Sequence, residues 1–124
     1  MKKVLIIDDE EEVLFLLKDF IQLNLKGMDL QLDTCQQSMD ALLKITETKY
    51  NLIITDHKMP KMLGSEFLYN LRNLSSSRNK QTPTIILSGY VPEAKNLIED
   101  RSSIYFLDKP FNPEQLKDHL KKLI

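Results

Sequence analysis

The sequence predicts an α/β protein, a doubly wound (βα)5 sandwich with a five-stranded parallel sheet and helices on both faces. Five short apolar runs of strand length recur along the chain, and each is followed by a segment whose apolar residues repeat with helical period. Strands that alternate with helices form parallel sheets covered on both faces. Because crossovers between parallel strands are right-handed, the doubly wound sandwich is the favoured arrangement.

The five strand candidates differ in how completely apolar they are. Four are continuous runs, as expected of strands buried on both faces, whereas Leu30–Cys35 alternates and is typical of a sheet edge. The continuous runs are Val4–Ile7, Leu52–Thr55, Thr84–Leu87 and Ile104–Leu107.

The helix candidates follow the strands, and apolar stripes mark their buried faces. We expect the first helix over residues 11–26, ended by Gly27, and the last to begin with Asn112 as cap and Pro113 at its first position. The residues 75–81 form the one long polar loop. The positions expected to face the core are Val13, Leu14, Leu16, Leu17, Phe20 and Ile21, then Met39, Leu42, Leu43 and Thr46, then Phe67, Leu68, Leu71 and Leu74, then Ala94, Leu97 and Ile98 in a short, weak fourth helix, and finally Leu116, Leu120, Leu123 and Ile124.

Composition excludes several classes of protein. The chain has 124 residues, enough for one domain, and 42% of them are hydrophobic. A formal charge of −1 gives no indication of nucleic-acid binding, and the one cysteine, Cys35, allows no internal disulfide. We interpret Cys35 as a buried small residue. No apolar run reaches the length of a membrane span or signal peptide, so we expect a cytoplasmic protein without membrane contact.

Polar side chains follow four of the five predicted strands. Asp8 and Asp9 follow the first, Asp56 the third, Ser88 the fourth and Lys109 the fifth. Ligand sites of doubly wound sheets lie outside the carboxyl ends of the strands. We therefore expect three carboxylates, a hydroxyl and an ammonium group to converge at one edge of the sheet.

Such a cluster is suited to a hard divalent cation. Three carboxylates against one lysine leave a net negative charge, which raises proton affinity unless a cation is bound. Oxygen ligands suit Mg²⁺ or Mn²⁺, and the softer ligands typical of zinc are missing from the cluster. Phosphoryl transfer needs positioning and charge stabilisation, so a carboxylate nucleophile beside a cation, a lysine and a hydroxyl fits that chemistry.

With these residues in this order, the chain resembles the receiver (CheY-like) domain of two-component response regulators. The resemblance covers Val4 to the end of the chain, and it implies a sheet of strand order 2-1-3-4-5. Each motif is weak alone, but their joint placement at strand ends is specific. The matching residues are Asp8-Asp9, Asp56 with Met59-Pro60 and Gly64 behind it, Ser88-Gly89 and Lys109-Pro110-Phe111.

The resemblance implies a role for each carboxylate. Asp56 is the expected phosphoacceptor. Asp9 and Asp56 would bind Mg²⁺ directly, together with the backbone carbonyl of Lys58, and Asp8 would act through a water molecule.

The resemblance also implies a switch. Ser88 and Lys109 would contact the phosphoryl group, Ser88 would move toward it, and Phe106 would turn into the space that Ser88 leaves. The face of the fourth helix, fifth strand and fifth helix would then change shape for a partner. The Lys109–Pro110 peptide bond is expected to be cis, as is typical of the family.

The partners implied are a sensor histidine kinase or phosphotransfer protein and a downstream protein target. Receiver faces can also pair on activation. We expect residues 1–124 to be a single receiver domain with no output domain encoded, although a piece excised from a longer regulator would look the same. The domain would be a signalling module with self-catalysed phosphotransfer and autodephosphorylation, not an enzyme with a separate substrate.

Simpler interpretations exist for each residue taken singly. Asp8 and Asp9 could serve simply to favour the N-terminus of the helix that follows them. Asp56 could be a turn residue, and Lys109 could be a surface lysine. Phe106 on an apolar strand could be a core residue. The joint placement of the polar residues favours the site.

Three loop positions lead to further expectations. We interpret His57 as a solvent-facing loop residue. Met62 and Leu63 either form an exposed contact patch or fold under their loop. Lys58 and Tyr90 lie on opposite rims of the predicted site, and we expect both to tune the lifetime of the phosphoryl group. Lys58 would act by its charge or by pairing with a carboxylate, and Tyr90 would hinder the attacking water. Alternatively, both side chains point into solvent.

Three other functions compete. A degenerate receiver would bind partners without phosphate, but the complete acid, hydroxyl and lysine set argues against it. An aspartate-nucleophile phosphatase of the haloacid dehalogenase type needs two aspartates separated by one residue, whereas Asp8 is followed directly by Asp9. A flavin-binding protein needs a phosphate-binding loop after the first strand, where the acidic residues 8–12 would repel phosphate.

Overall fold

The computed structural model describes all of residues 1–124, and strands and helices alternate strictly along them. The elements in chain order are β1 (Lys2–Ile7), α1 (Glu11–Asn24), β2 (Leu30–Cys35), α2 (Ser38–Glu47), β3 (Leu52–Asp56), α3 (Gly64–Asn73), β4 (Thr84–Ser88), α4 (Val91–Asn96), β5 (Ile104–Asp108) and α5 (Pro113–Leu123). None of the helices combines the length and apolar content that a bilayer crossing requires.

The predicted fold class is confirmed. All four strand pairings are parallel, and the five strands stand in the order β2-β1-β3-β4-β5. The alternating run Leu30–Cys35 is an edge strand, as predicted. The last helix begins as expected, because the Asn112 side chain accepts hydrogen bonds from the backbone N–H groups of Glu114 and Gln115 and Pro113 occupies the first turn.

The sheet separates two apolar layers. Successive side chains of a strand point to opposite faces. Val4 and Ile6 therefore pack with α1 and α5, whereas Leu5 and Ile7 pack with α2, α3 and α4. These central side chains are fully buried, and each contributes about 1.5–3 kcal/mol relative to exposure. Burial on both faces fixes the positions of the strand ends, where the polar residues lie.

The strand register aligns those ends. Ile7 pairs with Thr55, and Asp56 pairs with Leu87, so the residues that follow β1 and β3 emerge beside each other. Ser88 pairs with Asp108 at the end of β4 and β5. The register thus positions residues from four separate parts of the chain at one edge.

The predicted buried face of α2 is wrong. Met39 and Leu43 are 59% and 62% exposed, and the helix buries Ala41 and Ile45 instead. Apolar residues occur on two sides of this helix, so periodicity alone could not select the inner one. Three other predicted core positions are also exposed, namely Leu16, Leu74 and Leu97.

The fourth helix is as short as predicted and is lightly anchored. α4 spans Val91–Asn96, and only Ala94 within it is buried, with Ile98 just beyond its end. The segment that follows is held by Arg72 of α3, whose guanidinium donates hydrogen bonds to the carbonyl oxygens of Asp100 and Ser102. Two hydrogen bonds from α3 therefore hold the segment that follows α4.

The predicted polar loop over residues 75–81 is organised by a buried asparagine. Asn79 is fully buried, and its amide nitrogen donates to the carbonyl oxygens of Ile45 at 2.8 Å and Thr48 at 2.7 Å. Its amide oxygen accepts from the backbone N–H of Tyr50 at 2.7 Å and the hydroxyl of Thr82 at 2.9 Å. The Asn79 side chain therefore connects α2 with the residues just before β3 and the residues just before β4.

We predict that Asn79→Ala lowers the free energy of unfolding by about 2–4 kcal/mol, because it leaves several buried polar groups without partners. Urea unfolding followed by circular dichroism measures the loss. Asn73→Ala is the matched control, since Asn73 is exposed and bonds only to Tyr69 in its own helix. Equal stabilities of the two variants would contradict the structural role of Asn79.

Candidate functional site

The polar residues predicted to converge do so at the carboxyl edge of the sheet. Asp8 follows β1 and is fully buried, and Asp56 ends β3 with 5% of its surface exposed. The ammonium Nζ of Lys109, which follows β5, lies 3.0 Å from Asp8 Oδ2 and 3.2 Å from Asp56 Oδ2. Ser88 ends β4 and is also buried. The expected cis peptide bond between Lys109 and Pro110 is present.

Backbone hydrogen bonds fix the Asp8 carboxylate and the loop that follows Asp56. Asp8 Oδ1 accepts from the backbone N–H of Glu10 at 2.9 Å, and the Asp8 N–H donates to the Cys35 carbonyl at 3.1 Å. Beyond Asp56, the loop closes when the Gly64 N–H donates to the His57 carbonyl at 2.7 Å. A Cβ at residue 64 would lie 2.9 Å from the Asp56 carbonyl oxygen, so this close approach requires glycine.

The electrostatics of the site are unbalanced. Burial raises the pKa of Asp56 to about 6, and the neighbouring Asp8 charge adds to this, while Lys109 opposes it. Burial likewise raises the pKa of Asp8. For Lys109, burial alone would lower the pKa, but its hydrogen bond to Asp8 and the Asp56 charge outweigh burial and raise it above the usual range. A single ammonium group thus neutralises two buried carboxylates incompletely.

The donor groups fit a hard divalent cation. Carboxylate oxygens of Asp8, Asp9 and Glu10 lie within 4.8 Å of one another, and Asp9 and Glu10 are exposed to solvent beside the buried Asp8. These are oxygen donors only, the type that Mg²⁺ and Mn²⁺ prefer. A cation here would oppose the effects of burial and of like charges that raise the pKa values of Asp8 and Asp56.

Glu10 is a member of the site that sequence analysis missed. It entered there only as one of the acidic residues 8–12 that would repel a phosphate after the first strand. Glu10 does stand at the N-cap position, but its side chain caps no backbone group and instead lies 3.3 Å from Lys109 Nζ. Its place directly after the Asp8-Asp9 pair was the signal that could have indicated this contact.

The predicted rim residues lie where α4 begins. Lys58, 71% exposed at its side chain, pairs with Glu93 of α4 at 3.5 Å. Tyr90 is exposed, and its backbone N–H donates to Ser88 Oγ at 3.0 Å. Phe106 is half-buried against the layer that contains α4, and Lys95 Nζ lies 5.5 Å from the centre of its ring. The switch and tuning roles of these residues remain predictions.

The interpretation of His57 as a solvent-facing residue is wrong. Its side chain is fully buried, because it continues the alternation of β3 and lies on the same face as Ile53 and Thr55. Burial lowers its pKa, so the imidazole is neutral at pH 7. Of the alternatives for Met62 and Leu63, Met62 folds under the loop, because it is half-buried and packs against the core, and Leu63 is half-buried.

Known proteins are similar to this chain in sequence and in fold. The family described as the response regulator receiver domain matches residues 4–121. Protein PilG of Pseudomonas aeruginosa is 33% identical over 122 residues, covering 96% of this chain and 84% of PilG. The CpxR homolog of Haemophilus influenzae, a transcriptional regulatory protein, is 29% identical over 125 residues, and this chain spans about half of its length (51%).

Solved structures agree with the sequence matches. The chemotaxis protein CheY4 of Vibrio cholerae has a TM-score of 0.82 and 31% identity, with 100% of this chain and 99% of that chain covered.

The chain therefore belongs to the receiver-domain family of two-component response regulators. This is a family of signalling domains that are switched by phosphorylation, bind Mg²⁺ at an acidic pocket, and interact with histidine kinases or phosphotransfer proteins and with downstream targets.

The raised pKa of Asp56 predicts how replacing this residue changes the free energy of unfolding when EDTA removes divalent cations. Because the folded pKa of about 6 exceeds the unfolded value of 3.8, the folded state binds more protons between these pH values, and wild-type stability falls as pH rises through them. Asp56→Asn should therefore be more stable than wild type at pH 7, by up to about 3 kcal/mol, with the gain vanishing near pH 4. Thermal unfolding across this pH range measures it.

The exposed Asp19→Asn on α1 provides the control, and its stability should follow that of wild type at every pH. Adding Mg²⁺ should stabilise wild type more than Asp56→Asn. If Asp56→Asn were no more stable than wild type at pH 7, the unfavourable electrostatics assigned to this site would be wrong.

Proposed function

We propose that this receiver domain accepts a phosphoryl group on Asp56 and so acts as a phosphorylation-activated switch of a two-component phosphorelay. The observation that supports this most directly is the position of the Asp56 carboxylate. It is buried at the end of β3, Lys109 Nζ is 3.2 Å away, and the same ammonium group holds Asp8 at 3.0 Å. A nucleophile and a cation for the transferred oxygens are thus preorganised together.

The chemistry at Asp56 is an exchange of bonds at phosphorus. A carboxylate oxygen attacks the phosphorus of a phosphohistidine, the P–N bond breaks, and the imidazole nitrogen leaves and takes up a proton. The product is an acyl phosphate, which water later hydrolyses to the free carboxylate and inorganic phosphate. Lys109 and the Ser88 hydroxyl would hold the phosphoryl oxygens during both steps.

The acidic residues around Asp56 would hold Mg²⁺. We assign Asp9, Asp56 and the Lys58 carbonyl oxygen as direct ligands and Asp8 as a ligand through water. The ion supplies charge neutralisation for the phosphoryl oxygens. The chain's own contribution is to bury Asp8, which forms hydrogen bonds to Lys109 and to the Glu10 N–H and so keeps its carboxylate fixed.

The switch would run from Ser88 to the face formed by α4, β5 and α5. Ser88 Oγ accepts a hydrogen bond from the Tyr90 N–H directly before α4, so movement of Ser88 toward a phosphoryl group would pull on this helix. Phe106 is only half-buried beside α4, which leaves its ring free to reorient. We expect a histidine kinase or phosphotransfer protein to be the donor and a protein to bind the changed face.

The first test of this proposal is mass spectrometry after incubation with acetyl phosphate and Mg²⁺. One phosphoryl group should be added to wild type, and none should be added without Mg²⁺ or in Asp56→Asn. Asp108→Asn is the matched control, because Asp108 also lies at the carboxyl edge but is exposed, and this variant should accept the group normally.

The other outcomes of this experiment are informative. If wild type neither forms an adduct nor binds beryllofluoride, the chain is a phosphate-independent interaction module. An adduct retained in Asp56→Asn would place the acceptor elsewhere.

We further predict that Lys58→Asn and Tyr90→Ala shorten the lifetime of the phosphorylated state. Lys58 would lose its charge beside the phosphoryl group, and Tyr90→Ala would open a path for water. An exposed charge of this kind contributes up to about 1 kcal/mol, so the hydrolysis rate should rise by no more than about fivefold. Phosphate release from purified, phosphorylated protein gives the rate.

Lys61→Asn is the matched control, because Lys61 is an exposed lysine of the same loop with a φ of 71° that asparagine tolerates. Its hydrolysis rate should equal that of wild type. Unchanged rates in both rim variants would mean that Lys58 and Tyr90 do not tune the lifetime.

A further inference from the structure

His57 is a buried polar side chain with no hydrogen-bond partner in the protein. Both ring nitrogens are inaccessible to solvent, and neither has a donor or acceptor group within reach. Buried polar groups are nearly always paired, and an unpaired one costs free energy. The ring continues the inward face of β3, on the side of the sheet that α2, α3 and α4 cover, and its Cδ2 would lie 3.5 Å from a Cβ at residue 64, the first residue of α3.

Two charged residues act on the His57 ring, and they are paired with each other. Burial is the main cause of the lowered pKa of His57, and the charges of Glu93 and Lys58 act on it in opposite directions. Lys58 is the next residue in the chain, and Glu93 lies in the first turn of α4. Their side chains form an ion pair at 3.5 Å, so Lys58 holds the carboxylate that could otherwise accept a hydrogen bond from His57.

This ion pair is easily exchanged. The two side chains are 71% and 44% exposed, and exposed pairs of this kind are weak and screened by salt. A phosphoryl group on Asp56, two residues before Lys58, would carry close to two negative charges and several acceptor oxygens. Charge-assisted hydrogen bonds to such a group are stronger than a single exposed ion pair.

We propose that His57 is a positioning residue that joins α4 to the acceptor loop in the phosphorylated state. Lys58 exchanges Glu93 for the phosphoryl oxygens, and the released Glu93 carboxylate accepts a hydrogen bond from the His57 ring. The inference rests on the proposed phosphorylation of Asp56 and adds a route from that residue to α4.

The route needs no protonation of His57. Because burial lowers its pKa, the ring is neutral and has one N–H to donate. α4 can follow the Glu93 side chain, since within this helix only Ala94 is buried. The resting state thus contains an unpaired imidazole, and the phosphorylated state provides its partner.

Ring nitrogen and ring N–H signals of ¹⁵N-histidine-labelled protein test the inference. His57→Phe identifies the His57 signals. In wild type, beryllofluoride with Mg²⁺ should move the His57 N–H proton downfield, as expected of a hydrogen bond to a carboxylate. Lys58→Met should show this shift without beryllofluoride, because Glu93 is already released.

Glu93→Ala should show no shift in either condition, and Glu99→Ala, an exposed carboxylate beyond α4, should behave as wild type. Combining Lys58→Met with Glu93→Ala should abolish the shift that Lys58→Met produces. A double-mutant cycle of His57→Phe and Glu93→Ala should show a coupling of about fivefold in beryllofluoride affinity.

The outcomes separate this inference from the proposed function. Intact mass after acetyl phosphate treatment reports whether Asp56 is modified, and failure there overturns the proposed function. If the adduct forms while the His57 signals stay unchanged, or if the shift persists in Glu93→Ala, the inference is wrong. Lys58→Met and Glu93→Ala change surface residues, and if His57→Phe does not fold, His119→Gln removes the signals of the other histidine and so identifies those of His57.

Discussion

The contact of one ammonium group with two buried carboxylates is the interaction on which the arrangement of this domain depends. Lys109 stands 101 positions after Asp8 in the chain, yet its Nζ lies 3.0 Å from the Asp8 carboxylate and 3.2 Å from that of Asp56. Without it, two buried negative charges would repel each other at low dielectric. The contact forms only if β1, β3 and β5 end at the same edge, so the sheet order and register are what make it available.

The contact with Lys109 does not offset the full cost of burying two carboxylates. This is consistent with a site that binds a cation. Burial raises the pKa values of both Asp8 and Asp56 despite the lysine, so the folded protein gives up stability at neutral pH to keep both groups ionised. The two apolar layers offset this loss with side chains that are fully buried on both faces of the central strands. A divalent cation can neutralise the excess negative charge that remains, and the site can then accept the oxygens of a phosphoryl group.

Sequence reasoning predicted the features that sheet geometry dictates. Continuous apolar runs reveal strands buried on both faces, and in a parallel sheet the residues after them must meet, which placed Asp8, Asp56 and Lys109 together. It failed where a choice depends on packing between distant elements. The buried face of α2 and the contact of Glu10 with Lys109 could not be read from periodicity. His57 was misplaced because a residue after a strand was taken to be in solvent, whereas the β3 alternation continues through it.

The contacts of α4 differ between its two ends, and this difference determines how it can move. Beyond its C-terminal end, Arg72 binds two backbone carbonyl oxygens, of Asp100 and Ser102, that no charge change at Asp56 would disturb. At its N-terminal end, the side-chain contacts are the exposed pair of Lys58 and Glu93 and the hydrogen bond from the Tyr90 N–H to Ser88 Oγ, both at the edge that carries the acceptor. Release at one end with retention at the other would make α4 pivot instead of dissociate. A pivot would alter the packing beside the half-buried Phe106 while the core beneath Ala94 stays closed.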